Sequence, residues 1–161
     1  MSGRVISRSE ASALGVRLRQ QGRSIAFTNG CFDLLHVGHV RYLAGARAQA
    51  DALVVGVNND ASVANLKGPG RPLLTADARA ELVAALEGVG YVVIFDEPNV
   101  ASLLEELRPD VHCKGTDYTE ETVPERDVMK RLGGAVRIVG DPKNHSTRDI
   151  LADIARRNKP A

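Results

Sequence analysis

A chain of 161 residues suits a single domain with a full hydrophobic core. Its 21 basic and 20 acidic residues leave a net charge of +1, so no global field recruits nucleic acid or a membrane surface; three Phe, three Tyr and no Trp leave little for base stacking. Two cysteines exclude a disulfide framework, no apolar run approaches the ~20 residues of a membrane span, and no secretory segment opens the chain, which sets the expectation of a cytoplasmic protein with reduced thiols.

Residues 1–23 read as an N-terminal helical extension and 24–157 as the core, together one domain. Ser9 is placed to cap a helix running to about Gln21 and ended by Gly22, with Leu14, Val16 and Leu18 as its apolar positions. Ile25-Ala26-Phe27 is a short apolar strand stopped by the turn signal Asn29-Gly30, and Val37 to Gln49 has helical spacing. A strand that ends in glycine and feeds a helix start gathers backbone N–H groups at one spot, where they and the helix dipole favour an anion.

His36 and His39 stand three residues apart at that helix start, so their rings share a face, and Gly38 adds no side chain between them. Two histidines at this spacing, taken alone, read as surface or capping residues. The strand-turn-helix setting makes them candidates for binding a polyphosphate and stabilising charge that builds on it. Cys31, inside the same stretch, reads as a small buried residue rather than a nucleophile.

Ala52 to Val57 is an apolar run of strand length, completing a right-handed βαβ unit. Asn58-Asn59-Asp60 follows at the carboxyl end of that strand, where open α/β sheets bind ligands; Asp60 suits equally the cap of a short helix, Ala61 to Leu66. Lys67-Gly68-Pro69-Gly70-Arg71-Pro72 is the most loop-like stretch and its charges are all positive, a basic loop that by composition reads as a solvated turn. Thr75 caps a helix over Ala76 to Glu87 whose Leu82, Val83 and Leu86 face the core.

Tyr91 to Phe95 is a strand, Val100 to Leu107 a helix, and Val111 to Lys114 a strand ending at Gly115. His112 within it reads as a packed or capping residue. Lys114 at the strand end can pair with phosphate and Asp117 can accept sugar hydroxyls; the competing reading is a plain loop ion pair. A helix over Pro124 to Leu132 and a strand over Ala135 to Val139 follow. Ser146 or Thr147 then caps a last helix reaching about Arg157, a second helix start beside a strand end and so a second anion site. Five strands alternating with helices predict an α/β fold, a doubly wound five-stranded parallel sheet with helices on both faces.

Thr28-Asn29-Gly30-Cys31-Phe32-Asp33 followed by His36-Val37-Gly38-His39 resembles the cytidylyltransferase-like nucleotidyltransferases, most of all their heptose 1-phosphate adenylyltransferase and glycerol-3-phosphate cytidylyltransferase groups. The resemblance runs from about Ile25 to Leu151. It implies a Rossmann-like fold and transfer of a nucleotidyl group from a nucleoside triphosphate to a phosphorylated acceptor, with release of pyrophosphate. Thr28 through Asp33, with His36, Gly38 and His39, correspond to the nucleotide-binding stretch, and the Gly30 to Phe32 backbone to an oxyanion cradle. Ser146-Thr147 match a Ser-Thr-Thr or Ser-Ser-Thr element that binds the triphosphate, with Arg148 in place of the next hydroxyl residue.

The same likeness makes His36, His39 and Lys67 the catalytic group. Asp33, Asn58, Lys67 and Arg71, with Lys114, Gly115 and Asp117, become the substrate-binding residues. Arg79 matches a recurrent arginine that either orients the basic loop or makes a surface salt bridge. Lys114-Gly115-Thr116-Asp117-Tyr118 resembles the Lys-Gly-Gly-Asp-Tyr of the heptose group, with Thr116 replacing the second glycine. The implied reaction is AMP transfer from ATP to heptose 1-phosphate, giving ADP-heptose and pyrophosphate. CTP-dependent transfer to glycerol 3-phosphate is the alternative, and a nucleotide-sensing module the non-enzymatic one. Mg²⁺ is expected on the triphosphate rather than in a protein site, two histidines without a third ligand being a poor zinc site. A homodimer also follows from the resemblance. The sugar kinase that larger members of the heptose group carry would here be a separate chain.

Overall fold

A computed structural model describes residues 2–142 and 144–160. Its elements run β1 (Arg4–Ile6), α1 (Arg8–Gln20), β2 (Ile25–Gly30), α2 (Val37–Arg47), β3 (Ala52–Asn58), α3 (Asp60–Lys67), α4 (Ala76–Ala84), β4 (Tyr91–Phe95), α5 (Ala101–Leu107), β5 (Val111–Lys114), α6 (Arg126–Arg131), β6 (Ala135–Ile138) and α7 (Thr147–Arg157). The strands lie in the order β1-β4-β3-β2-β5-β6, every neighbouring pair parallel. No helix among the described residues is long and apolar enough to cross a membrane.

The doubly wound arrangement follows from strand alternation. Ile25, Phe27, Val54, Val93 and Phe95 point to one face, where they pack with Ala11, Leu14 and Leu18 of α1 and Leu103, Leu104 and Leu107 of α5. Ala26, Leu53, Val55, Val57 and Val92 point to the other, against Leu43 and Ala46 of α2 and Ala80, Val83 and Ala84 of α4. Two apolar cores thus sandwich the sheet. From β2 the chain steps outward through β3 and β4, then crosses back to lay β5 on the other side of β2. The order therefore reverses between β2 and β5, where a crevice opens at the carboxyl ends of the strands.

The sheet has six strands, not five. The sixth is β1, three residues at the edge, of which only Ile6 is buried. The stretch expected as a helical extension thus also supplies a strand. The cap of α1 is Ser7 rather than Ser9: its hydroxyl accepts from Glu10 N while the Glu10 carboxylate accepts from Ser7 N, a reciprocal capping box. Asn59, not Asp60, caps α3, accepting from Ser62 N at 2.9 Å. Thr75 caps α4 as expected, but Leu82 is turned to solvent on that helix. At the other end of the chain, α7 places no side chain in the core; Thr147 Oγ1 donates to Leu34 O at 2.9 Å and fastens its first turn to the loop after β2.

Candidate active site

At the crevice, β2 ends in Gly30 and the chain turns through Cys31 and Phe32 toward α2. Phe32 takes a left-handed backbone (φ 49°) yet buries its ring, and a Cβ on Gly30 would lie 3.1 Å from that ring. A non-glycine residue holds this conformation only where its surroundings enforce it, as they do here by enclosing the ring. The buried ring in turn backs His39, 5.3 Å between centroids.

His36 is itself the N-cap of α2. Its Nδ1 accepts from Gly38 N at 3.1 Å, and His39 Nδ1 accepts from His36 N at 3.2 Å. Both Nδ1 atoms are therefore acceptors, which places the proton of each neutral ring on Nε2. The rings lie 3.9 Å apart, tilted by 33°. Two Nε2–H donors thus stand beside the positive end of the α2 dipole, an arrangement suited to phosphate oxygens. Gly38 makes it possible, because a Cβ there would come within 2.9 Å of the His36 ring.

A cavity of about 740 Å³ opens over these groups, and most of the candidate residues line it. From the β2 end come Asn29, Gly30, Cys31 and Phe32; from α2 come His36, Gly38 and His39. Lys67 reaches it from the end of α3 and Arg71 from the basic loop, Lys114, Gly115 and Asp117 from the end of β5, and Ser146 and Thr147 from the start of α7. The Ser146 hydroxyl accepts from Asp149 N at 3.1 Å as the cap of α7, which leaves its own O–H as a donor.

Thr28, Asp33 and Asn58 do not line the cavity, each for a visible reason. Thr28 is fully buried, with its hydroxyl bonded to Tyr42 OH and to Cys113 O. Asn58 donates from Nδ2 to Ser62 Oγ and gives its carbonyl to Arg79, so it supports α3 and α4. Asp33 has a side chain only 1% exposed and accepts from Arg71 Nε (2.5 Å) and from the N–H groups of Leu73 and Leu74. Burial alone would raise its pKa, but these bonds together hold the carboxyl below the ordinary aspartate range. Asp33 is the anchor of the basic loop.

Arg79 is no surface residue. Wholly buried, it donates to Leu74 O, Cys31 O and Asn58 O and pairs with Asp60 Oδ1 at 2.7 Å. One guanidinium thereby joins the turn after β2, the end of β3 and the end of the basic loop, as its fork of five donors permits. Cys31, half-buried beside the same group, has its thiol pushed up by burial, more than Lys67 and Arg79 pull it down.

On the β5 side, Lys114 is 9% exposed, its Nζ 4.8 Å from the Tyr118 ring centroid and 3.5 Å from Asn29 Oδ1. Burial lowers its pKa, the nearby Glu125 and Asp117 opposing this. Thr116 uses its hydroxyl to bond Asp141 O at 2.9 Å, tying the β5 loop to the segment before α7. Tyr42, Arg41 and His145 also line the cavity and were missed in the sequence; Tyr118, quoted there only as part of the Lys114–Tyr118 motif, lines it too. Tyr42 carried a signal, lying three residues beyond His39 on the same helix face; Arg41, paired with Asp141 at 2.8 Å, carried none. The lining is thus rich in cations and N–H donors around a space of ligand size, a setting suited to binding phosphates. Among the described residues no group of three or more His, Cys, Asp or Glu side chains gathers to hold a metal ion.

Residues 27–157 match the model of a family described as cytidylyltransferase-like. The chain is 52% identical over 136 residues to the bifunctional protein HldE of Azotobacter vinelandii, covering 84% of this chain and 29% of that protein. It is 49% identical over 139 residues to the HldE of Syntrophotalea carbinolica, covering 86% and 28%. The chain therefore spans less than a third of the length of these curated relatives. Among solved structures, a lipopolysaccharide core biosynthesis protein from Thermoplasma volcanium superimposes with a TM-score of 0.61 at 27% identity, over 73% of this chain and 94% of that one.

Proposed function

The chain belongs to the cytidylyltransferase-like family, and from that premise we propose that it is a cytoplasmic adenylyltransferase that moves AMP from ATP to heptose 1-phosphate, giving ADP-heptose and pyrophosphate. The observation that carries the reading is the pair of Nε2–H donors of His36 and His39, set at the start of α2 in one cavity with Lys67, Lys114, Ser146 and Thr147. The similarity to HldE proteins over most of this chain favours the sugar-phosphate acceptor.

An acceptor phosphate is already an anionic nucleophile, so the protein has no proton to remove. One of its oxygens attacks the α-phosphorus of ATP in line, the bond from Pα to the bridging oxygen of the β-phosphate breaks, and pyrophosphate leaves with that electron pair. Positioning and charge neutralisation are the protein's part. His36 and His39 donate to oxygens around the transferring phosphorus, assisted by the Gly30 to Phe32 backbone. Lys67 meets the phosphates from the end of α3, the Ser146 hydroxyl and the Thr147 backbone N–H at the start of α7 hold the triphosphate, and Lys114 with Asp117 holds the acceptor. Mg²⁺ suits the triphosphate here, since it keeps phosphate oxygens and water in preference to a protein cage, and its charge offsets that of the leaving pyrophosphate.

The test is pyrophosphate release with Mg²⁺ across ATP and CTP, each crossed with heptose 1-phosphate and glycerol 3-phosphate. Turnover with ATP and heptose 1-phosphate, lost in folded His39→Ala protein, is the expected result. Preference for CTP and glycerol 3-phosphate would replace this acceptor and base, and nucleotide binding without turnover on any pair would refute the enzyme.

A further inference from the structure

His112 lies in the middle of β5, fully buried beneath the cavity without lining it, and the mechanism above does not use it. Its Nε2 is 3.2 Å from Asn29 Oδ1, while its Nδ1 is buried with no partner. The donor and acceptor roles in this cluster follow from one fixed point. The Lys114 ammonium can only donate, and it faces the same Asn29 oxygen. The atom it faces must therefore be Oδ1, so His112 Nε2 must carry the proton, and Nδ1 is left as a bare lone pair. Turned over, Asn29 would set its NH₂ against both donors. Packing holds the arrangement, with the Phe27 ring 5.6 Å from the imidazole. Burial first, and the Lys114 charge second, push the His112 pKa down to about 3, so the ring stays neutral.

A buried histidine with an unsatisfied nitrogen calls for an explanation beyond packing. We propose that His112 is a positioning residue: its Nε2–H fixes the Asn29 carboxamide with both Nδ2 hydrogens turned into the cavity, where they and Lys114 Nζ converge on the phosphate of the acceptor. The proposal rests on the nucleotidyl-transfer reading for the identity of that phosphate. The orientation of Asn29 stands on the hydrogen bonds alone.

Two variants and one spectrum test it. His112→Val removes the donor and raises the KM for the acceptor about tenfold with little change in the KM for ATP, and His112→Gln, which keeps an N–H in reach of Asn29, recovers most of the loss. Equal change in both KM values, no change in either, or a glutamine no better than valine would overturn the proposal. Nitrogen-15 NMR of the wild-type imidazoles decides it independently of how the variants fold. His112 is expected as a neutral Nε2–H ring from about pH 5 to about pH 8, and an Nδ1–H ring or an imidazolium there would overturn it. A wild-type protein that released no pyrophosphate would sink the functional reading alone, and the ring tautomer would still judge His112.

Discussion

Arg71 Nε donates to Asp33 Oδ2 over 2.5 Å, so two residues that each look like ligands from their sequence neighbours hold one another, and only Arg71 of the two also lines the cavity. The pair fastens the far end of the basic loop to the turn between β2 and α2, which carries Phe32 and His36. Lys67, at the other end of that loop, lines the cavity.

Asp33→Asn removes the charge that compensates the half-buried Arg71 and is expected to cost about 3 kcal/mol. Urea denaturation measures the loss, and the amides of Leu73 and Leu74 should exchange faster. The folded carboxyl lies below its ordinary pKa. Its contribution is therefore complete above the unfolded value of about 3.9 and fades as pH falls through the lower folded value. The stability gap between wild type and Asp33→Asn should be flat at neutral pH and close only in acid; a gap that closed between about pH 5 and about pH 7 would point to a different group.

His36 has two duties that one substitution separates. Asparagine is a good N-cap, so His36→Asn should keep stability within about 0.5 kcal/mol of wild type, where His36→Ala loses about 1 kcal/mol. Neither supplies the Nε2–H donor, so both should lose turnover by about a hundredfold or more. Retained turnover in the asparagine protein would show that His36 only caps the helix.

Gly38→Ala should behave in the opposite sense to most glycine losses in a site. Alanine favours the helix by up to about 1 kcal/mol, yet its Cβ would stand 2.9 Å from the His36 ring and push the imidazole off Gly38 N. Stability near or above wild type, with turnover reduced about tenfold or more, is the expected pairing. Urea midpoints and initial rates on one preparation would show it.

Arg79→Lys keeps the charge but cannot reach four acceptors from one ammonium. Leu74 O, Cys31 O and Asn58 O would compete for it with the Asp60 carboxylate, and about 3 kcal/mol or more of stability should go. A loss below about 1 kcal/mol on denaturation would mean that the surrounding loops hold themselves.

The central strands, the histidine helix and the cap at Ser146 were legible because each rests on local chemistry: apolar runs, glycine punctuation, a hydroxyl before a helix. Lys114 and Ser146 could be placed together because both stand at strand or helix ends that a parallel sheet turns to one edge. β1 escaped notice because three residues with two exposed leave no periodicity; its partner, β4, is some 87 positions away in register. Ser7 was legible after all, as the Ser-x-x-Glu of residues 7–10, a better cap signal than the serine at position 9. Asp33 and Arg79 were not. Whether a charged side chain meets ligand or backbone depends on which carbonyls and amides the tertiary fold brings beside it, and Asp33 meets Leu73 and Leu74 some forty residues on.

The two sides of the cavity differ in how firmly they are held. The histidines stand on a helix packed into one of the cores, whereas Ser146 and Thr147 stand on α7, which buries none of its side chains. With so little of it buried, α7 should be less protected than α2, and its backbone amides should exchange with solvent faster. Affinity for the triphosphate then bears any cost of holding that helix in place, and substitutions that seat α7 more firmly should tighten binding without touching a phosphate contact.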